Sequence, residues 1–296
     1  MNACPFAEQA FGAAMDALLL TSCQDDLLPA GDGVLPVRVY KGAARRKDAP
    51  VVMHLHGGAF TEGNLDSGEL VSRLLADAGA VVVDVDYPTG LNHVFPTALK
   101  ALDALLQGLH KVRAKLSGKH APVIVAGEEA GGNLAAALAL MARDQGHRKL
   151  DGQILIGPML NPCLATASLR QAEAGYGECR WMHGWRAYLG QCETGDHPYA
   201  APANTSRLAG LVPALVLSSD DDPMRDEALA YARAMKRAGV QVHQSLIPGP
   251  SGWPLSLMKL PALAVLQAPW ARALRERLAE FLALFPPAGG PRPQPA

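Results

Sequence analysis

Aromatic residues are scarce in this chain, at 5% of 296 residues, whereas apolar residues of all kinds reach 49%. The interior must therefore be filled mainly by Ala, Leu and Val. Neither sign of charge is in excess, since 27 basic residues face 28 acidic ones and leave a formal net charge of −1. A nucleic-acid binder needs a clustered basic surface, so no nucleic-acid partner is expected. Cysteine is sparse and scattered. The thiols of Cys4, Cys23, Cys163, Cys179 and Cys192 form no CxxC pair, which argues against a zinc ribbon or disulfide framework. Free thiols in a reducing compartment are expected instead, with no metal and no cofactor. Long apolar runs are missing too, none approaching the roughly 20 residues that span a bilayer. The N-terminus has no basic stretch, and Glu8 and Asp16 interrupt its apolar positions, so no secretory leader is expected. These absences point to a cytoplasmic protein without a membrane partner.

What is present is a rhythm of short apolar runs and amphipathic stretches. Residues Pro5 to Leu20 place Phe6, Ala10, Phe11, Ala14 and Leu18 near one helical face. Val34 to Tyr40 alternates as a strand. Strands are then predicted at Val51–Leu55, Val81–Val85, Pro122–Ala126, Gly152–Gly157, Pro213–Ser219 and Val240–Ile247. Helices are predicted at Leu65–Ala78, Pro96–Leu116, Gly131–Arg143, Arg225–Arg237 and Pro269–Leu284. Buried strands alternating with helices imply the α/β class, with a mostly parallel sheet covered on both faces. The segment from Cys163 to Ser206 breaks this rhythm and is richer in Trp, Tyr, Gly and Cys. It reads as an insertion over the sheet's carboxyl edge. One domain over residues 1–285 is expected, followed by a Pro/Gly-rich disordered tail over 286–296.

Four motifs fall in order along this frame. His56-Gly57-Gly58-Ala59-Phe60 directly follows a strand. Asp86-Tyr87 closes the next strand. Gly127-Glu128-Glu129-Ala130-Gly131-Gly132-Asn133 joins a strand to an Ala-rich helix, and Asp222-Pro223-Met224-Arg225-Asp226-Glu227 follows a later strand. Together they resemble the hormone-sensitive-lipase-like branch of the α/β-hydrolase fold, over about residues 50 to 284. That branch carries an HGGGF-type oxyanion loop, a GDSAGG nucleophile elbow, a DPLRDE acid segment and a final His-Gly-Phe. The resemblance implies a helical cap drawn from about residues 1–33 and 163–206. It also implies an oxyanion hole from the N–H groups of Gly57, Gly58 and Ala130, an acid at Asp222, and a homodimer as the common assembly.

At two positions the sequence departs from that pattern. The place of the elbow serine is held by Glu129, and the stretch Pro248-Gly249-Pro250-Ser251-Gly252-Trp253 puts Ser251 where the histidine belongs. A serine esterase needs a nucleophile and a base that takes its proton. Neither stands in place, so ordinary serine-esterase activity is not expected.

Glu129 and Asp222 are expected to border one pocket, where two close carboxylates would share a proton. One reading makes Glu129 a general base, with the oxyanion hole stabilising an enolate of a small, largely apolar carbonyl compound. Elimination, cyclisation or decarboxylation would fit. A second reading is a catalytically silent pseudo-hydrolase that binds a ligand or partner, as the branch's plant receptors do. A third is a carboxylic-ester hydrolase with an unusual base. Phe60, Tyr87, Trp181, Trp185 and Trp253 are candidate walls of the pocket or cap. Asp84 is read as a loop-anchoring group.

Overall fold

Runs such as Val51-Val52-Met53 and Val81-Val82-Val83 carry apolar side chains on both faces, so their strands bury both sides. The computed structural model describes residues 21–43, 45–146, 150–172, 179–190 and 194–286. In it the strands are β1 (Ser22–Ala30), β2 (Gly33–Lys41), β3 (Val51–Leu55), β4 (Val81–Val85), β5 (Val123–Glu128), β6 (Gly152–Ile156), β7 (Ala214–Ser219) and β8 (Val242–Ile247). They form an 8-stranded sheet in the order β1-β2-β4-β3-β5-β6-β7-β8. β2 pairs antiparallel with β1 and with β4, and every other pairing is parallel.

The helices are α1 (Glu69–Asp77), α2 (Thr97–Leu116), α3 (Glu129–Gln145), α4 (Ala167–Ala172), α5 (Arg180–Leu189), α6 (Arg225–Arg237), α7 (Leu263–Leu266) and α8 (Pro269–Leu282). The two-residue period of each strand sorts them into layers. Met53, Val83, Val125, Leu155 and Val216 face Leu102 and Leu105 of α2, Leu134 and Leu138 of α3, and Tyr231 of α6. Their neighbours Val52, Val82, Ile124, Ile154 and Leu215 face Leu70 and Leu74 of α1 with Trp270, Leu274 and Phe281 of α8. This is the three-layer α/β arrangement expected from the sequence.

One strand was not expected. Residues 22–30, placed in the cap by resemblance, form β1 and pair with β2 from Ser22 opposite Lys41 to Ala30 opposite Gly33. At this sheet edge only Leu28 of β1 is buried, so the polar run Gln24-Asp25-Asp26 carries no alternating signal. The N-terminal helix expected over Pro5–Leu20 and the tail from 287 onward lie outside the described residues. Within the insertion, α4 and α5 are described.

β3, β5 and α3 approach most closely at the start of α3. A side-chain carbon on Gly131 would stand 1.9 Å from the carbonyl oxygen of Leu55. No L side chain fits between that helix turn and the neighbouring strand. Gly131→Ala is therefore expected to destabilise the protein by about 3 kcal/mol or more through overpacking. The measurement is the urea unfolding midpoint; an unchanged midpoint would refute the close packing.

Candidate functional site

The turn from β5 into α3 aims one side chain above the carboxyl edge of the sheet. Glu128 is extended, at φ −112° and ψ 149°, and Glu129 then turns to φ +51° as the first residue of α3. A non-glycine residue held there costs about 1–3 kcal/mol, and such strain persists only where surrounding contacts enforce it. This is nucleophile-elbow geometry with a carboxylate in place of a hydroxyl.

The contacts that enforce it are hydrogen bonds to the carboxylate. Oε2 of Glu129 accepts the Gly58 N–H at 2.6 Å and the Ala59 N–H at 2.8 Å. Oε1 accepts the indole N–H of Trp181 at 2.9 Å. The Arg180 guanidinium lies 3.8 Å from the same oxygen and binds Glu62 at 2.8 Å. Glu129 is fully buried. Hydrogen bonds to a charged acceptor contribute about 1.5–3 kcal/mol each, enough to offset the backbone strain.

The oxyanion loop thus differs from the expected trio. Gly58 at φ +130°, Ala59 at φ +47° and Phe60 at φ +64° wind the backbone so that successive N–H groups point inward. Gly58 and Ala59 supply the converging donors. The Gly57 N–H turns instead to Glu128 Oε1, at 3.2 Å, and Ala130 lies in the first turn of α3. The sequence pointed to the two glycines and missed the alanine that follows them.

Asp222 and Ser251 sit close to where the motifs put them but bind other groups. Asp222 accepts the Ser218 hydroxyl at 2.7 Å and the Met224 N–H at 2.9 Å. Burial pushes its carboxyl up to about 6 against those two bonds, and the charges of Glu129 and Asp221 add to the rise. The expected carboxylate pair is therefore coupled through charge, while each member hydrogen-bonds elsewhere. Ser251 donates its hydroxyl at 2.6 Å and its N–H at 2.8 Å to Asp221, not to Asp222. Burial favours neutral Asp221, but these bonds and those from Gly252 and Ser219 outweigh it and lower the carboxyl. A methyl group built on Gly57 would lie 3.1 Å from Glu129 Oε2 and 3.4 Å from the Met258 sulfur, so a thioether packs beside the elbow.

Four of the five aromatic candidates gather here. Phe60 stacks on Tyr188 with centroids 4.0 Å apart and tilts against Trp185 at 5.2 Å. Tyr87 stacks on His56 at 4.5 Å and donates its hydroxyl to the His56 carbonyl at 2.6 Å. Trp181 binds Glu129 directly. Trp253 is the exception. It packs edge-on against Trp270 of α8, in the core layer on the opposite face of the sheet from α3.

Sequence reasoning missed the group beneath the elbow. His54, fully buried on β3, bonds Asp84 through Nδ1 at 2.8 Å and Glu128 through Nε2 at 2.6 Å. Ser72 of α1 adds a contact at 3.0 Å. The signal was available, because His54 and Asp84 are polar residues inside two wholly apolar strands that pair in register. Burial alone would lower the imidazole, but the Glu128 and Asp84 carboxylates raise it to about 10. Burial also raises the Asp84 carboxyl, so the proton stays within the network at neutral pH. Among the described residues, no cluster of three or more His, Cys, Asp or Glu side chains could hold a metal ion. No helix among them is long and apolar enough to cross a membrane.

Removing the imidazole leaves two buried carboxylates without their counter-charge, so His54→Ala is expected to cost about 3–5 kcal/mol. The folded pKa of about 10 exceeds the ordinary 6.5, so the imidazolium contributes fully below pH 6.5. That contribution is lost as pH rises through 10. Urea unfolding across this range should show an alkaline decline in the wild type that His54→Ala flattens. An equal decline in both proteins would contradict the assignment.

Comparison with known proteins places the fold. The alpha/beta hydrolase fold family matches residues 52–251. A carboxylesterase of Mycobacterium tuberculosis is 35% identical over 72% of this chain and 69% of its own. A gibberellin receptor of Arabidopsis thaliana is 32% identical over 66% of this chain and 57% of its own. The crystal structure of a thermostable esterase from Pseudomonas putida superposes with a TM-score of 0.79 at 27% identity, covering 94% of this chain and 90% of that one. The chain belongs to the alpha/beta hydrolase fold family, in its hormone-sensitive-lipase-like branch.

Proposed function

We propose that this chain is a non-hydrolytic member of its family, a pseudo-hydrolase whose cap and pocket bind a small molecule without turning it over. One observation carries the reading. The elbow side chain lies in the oxyanion hole with both carboxylate oxygens already bonded. In a working esterase those N–H donors must be free to meet the charge that develops on a substrate carbonyl. Here an internal carboxylate takes them, and the loop that would carry the base carries Ser251, held by Asp221.

The general-base reading of Glu129 has less support. A base needs a lone pair facing substrate. The hydrogen bonds to Glu129 leave its carboxylate facing backbone and cap. Asp222 carries the perturbed carboxyl, yet its bonds run to Ser218 and Met224.

Binding is supported by the cap. Trp185 and Tyr188 are buried against Phe60, and the Trp185 indole N–H and the Tyr188 hydroxyl have no hydrogen-bond partner. An unmet buried donor costs about 1–3 kcal/mol, so a small, largely apolar ligand with an acceptor group would recover that energy.

The test is direct. The wild-type protein is expected to hydrolyse p-nitrophenyl acetate no faster than buffer, and a fluorophosphonate is expected to leave its intact mass unchanged. Saturable turnover, or a covalent adduct on any serine, would overturn the proposal.

A further inference from the structure

We infer that the junction between cap helix α5 and the elbow is a carboxylate-binding site, that Glu129 is its resident ligand, and that this occupancy holds the cap closed. The inference rests on the reading of Glu129 as a structural group. It adds what that group recognises and what its recognition controls.

The donors come from two parts of the molecule. Gly58 and Ala59 belong to the floor and meet Oε2; Trp181 and Arg180 belong to the first turn of α5 and face Oε1. Each oxygen thus reads a different element, and the carboxylate bridges them. Three N–H groups and a guanidinium around one planar anion form a complete recognition set, charged on one side and backbone on the other. Steric, apolar and polar contacts also join α5 to the floor. A side-chain carbon on Gly184 would stand 2.1 Å from the Ala59 carbonyl, so the helix lies directly on the oxyanion loop. Phe60 stacks under Tyr188, and the Phe95 N–H reaches the Tyr188 carbonyl at 2.7 Å. Alongside this last bond and the Arg180–Glu62 pair, the carboxylate is a directional tie between helix and floor.

Occupancy can be separated from the covalent chain. Glu129→Ala removes one methylene, one carboxyl carbon and two oxygens, which have the size and shape of acetate. The vacated site keeps all four donors. Added acetate should enter it, restore the bridge and close the cap again. Chloride, a spherical ion of the same charge, cannot join donors on opposite sides of a planar group.

Hydrogen–deuterium exchange at neutral pH reads the state of the cap. In Glu129→Ala, exchange within residues 180–189 is expected to rise about tenfold or more over wild type, as a local opening replaces the latch. Millimolar sodium acetate should reverse it saturably, and sodium chloride at equal ionic strength should not. Exchange that matches wild type overturns the latch, and equal effects of acetate and chloride overturn the carboxylate site. If Glu129→Ala does not fold, Trp181→Phe keeps the elbow intact. It should speed exchange in α5 while α3 and residues 56–60 stay protected; unchanged exchange in α5 also overturns the latch. Ester turnover by the wild type would defeat the non-hydrolytic reading yet leave this exchange pattern to be judged by itself.

Discussion

A carboxylate with no access to water must be met by hydrogen-bond donors, and Glu129 is buried at the point where strand, loop and cap converge. Its two oxygens draw in the Gly58 and Ala59 amides from one side and the Trp181 indole from the other. The left-handed backbone at the elbow, the winding of the oxyanion loop and the seating of α5 all serve that one interaction. In an esterase the same hole is kept empty for a substrate oxygen. On the proposed function, filling it from within turns a transition-state device into a structural bond.

The bond sets a further demand. Glu128, Glu129, Asp84 and Asp222 are all buried around the carboxyl ends of β3 to β7. Burial raises the Asp84 and Asp222 carboxyls, and the charges of Glu128 and Glu129 add to that rise. The structure answers in three ways. His54 places a buried cation between Asp84 and Glu128. Arg180 brings a partly exposed one from the cap to Glu129. Asp222 is met by a hydroxyl and an amide, and burial keeps its carboxyl high. The Glu128 carboxylate, which also takes the Gly57 N–H, links the imidazolium to the oxyanion loop. A charge placed under the sheet thereby helps shape a loop above it.

Most of the fold was legible in the sequence because buried parallel strands leave unbroken apolar runs that helices then cover. β3, β4 and α6 agree residue for residue with the expected bounds. β1 was invisible because a largely exposed edge strand, with only Leu28 buried, has no hydrophobic period to read. The site was legible as far as motifs order it: the elbow, the glycine loop and the acid segment. Its hydrogen bonding was not, because a motif gives positions along a chain and says nothing of where a long side chain points. Glu129 was expected to extend toward Asp222 and instead folds back onto Gly58 and Ala59. Ser251, at the place the motif gives to the histidine, binds Asp221. Trp253 belongs to the helical layer beneath the sheet. His54 and Asp84 were readable as polar residues in apolar strands, but only the pairing of β3 with β4 shows that they meet.

The similarity to carboxylesterases and to a plant receptor is compatible with a scaffold that keeps a charge-stabilising hole whether or not it performs chemistry. In this chain the side chain of Glu129 occupies that hole. The most direct test is the amide-proton NMR of Gly58 and Ala59 in the wild-type protein. Both resonances should lie far downfield, as for N–H groups bonded to a carboxylate, and both should move upfield in Glu129→Gln, which keeps the shape and removes the charge. Amide protons at ordinary shifts that ignore this substitution would show that the carboxylate lies elsewhere, and the account would fail.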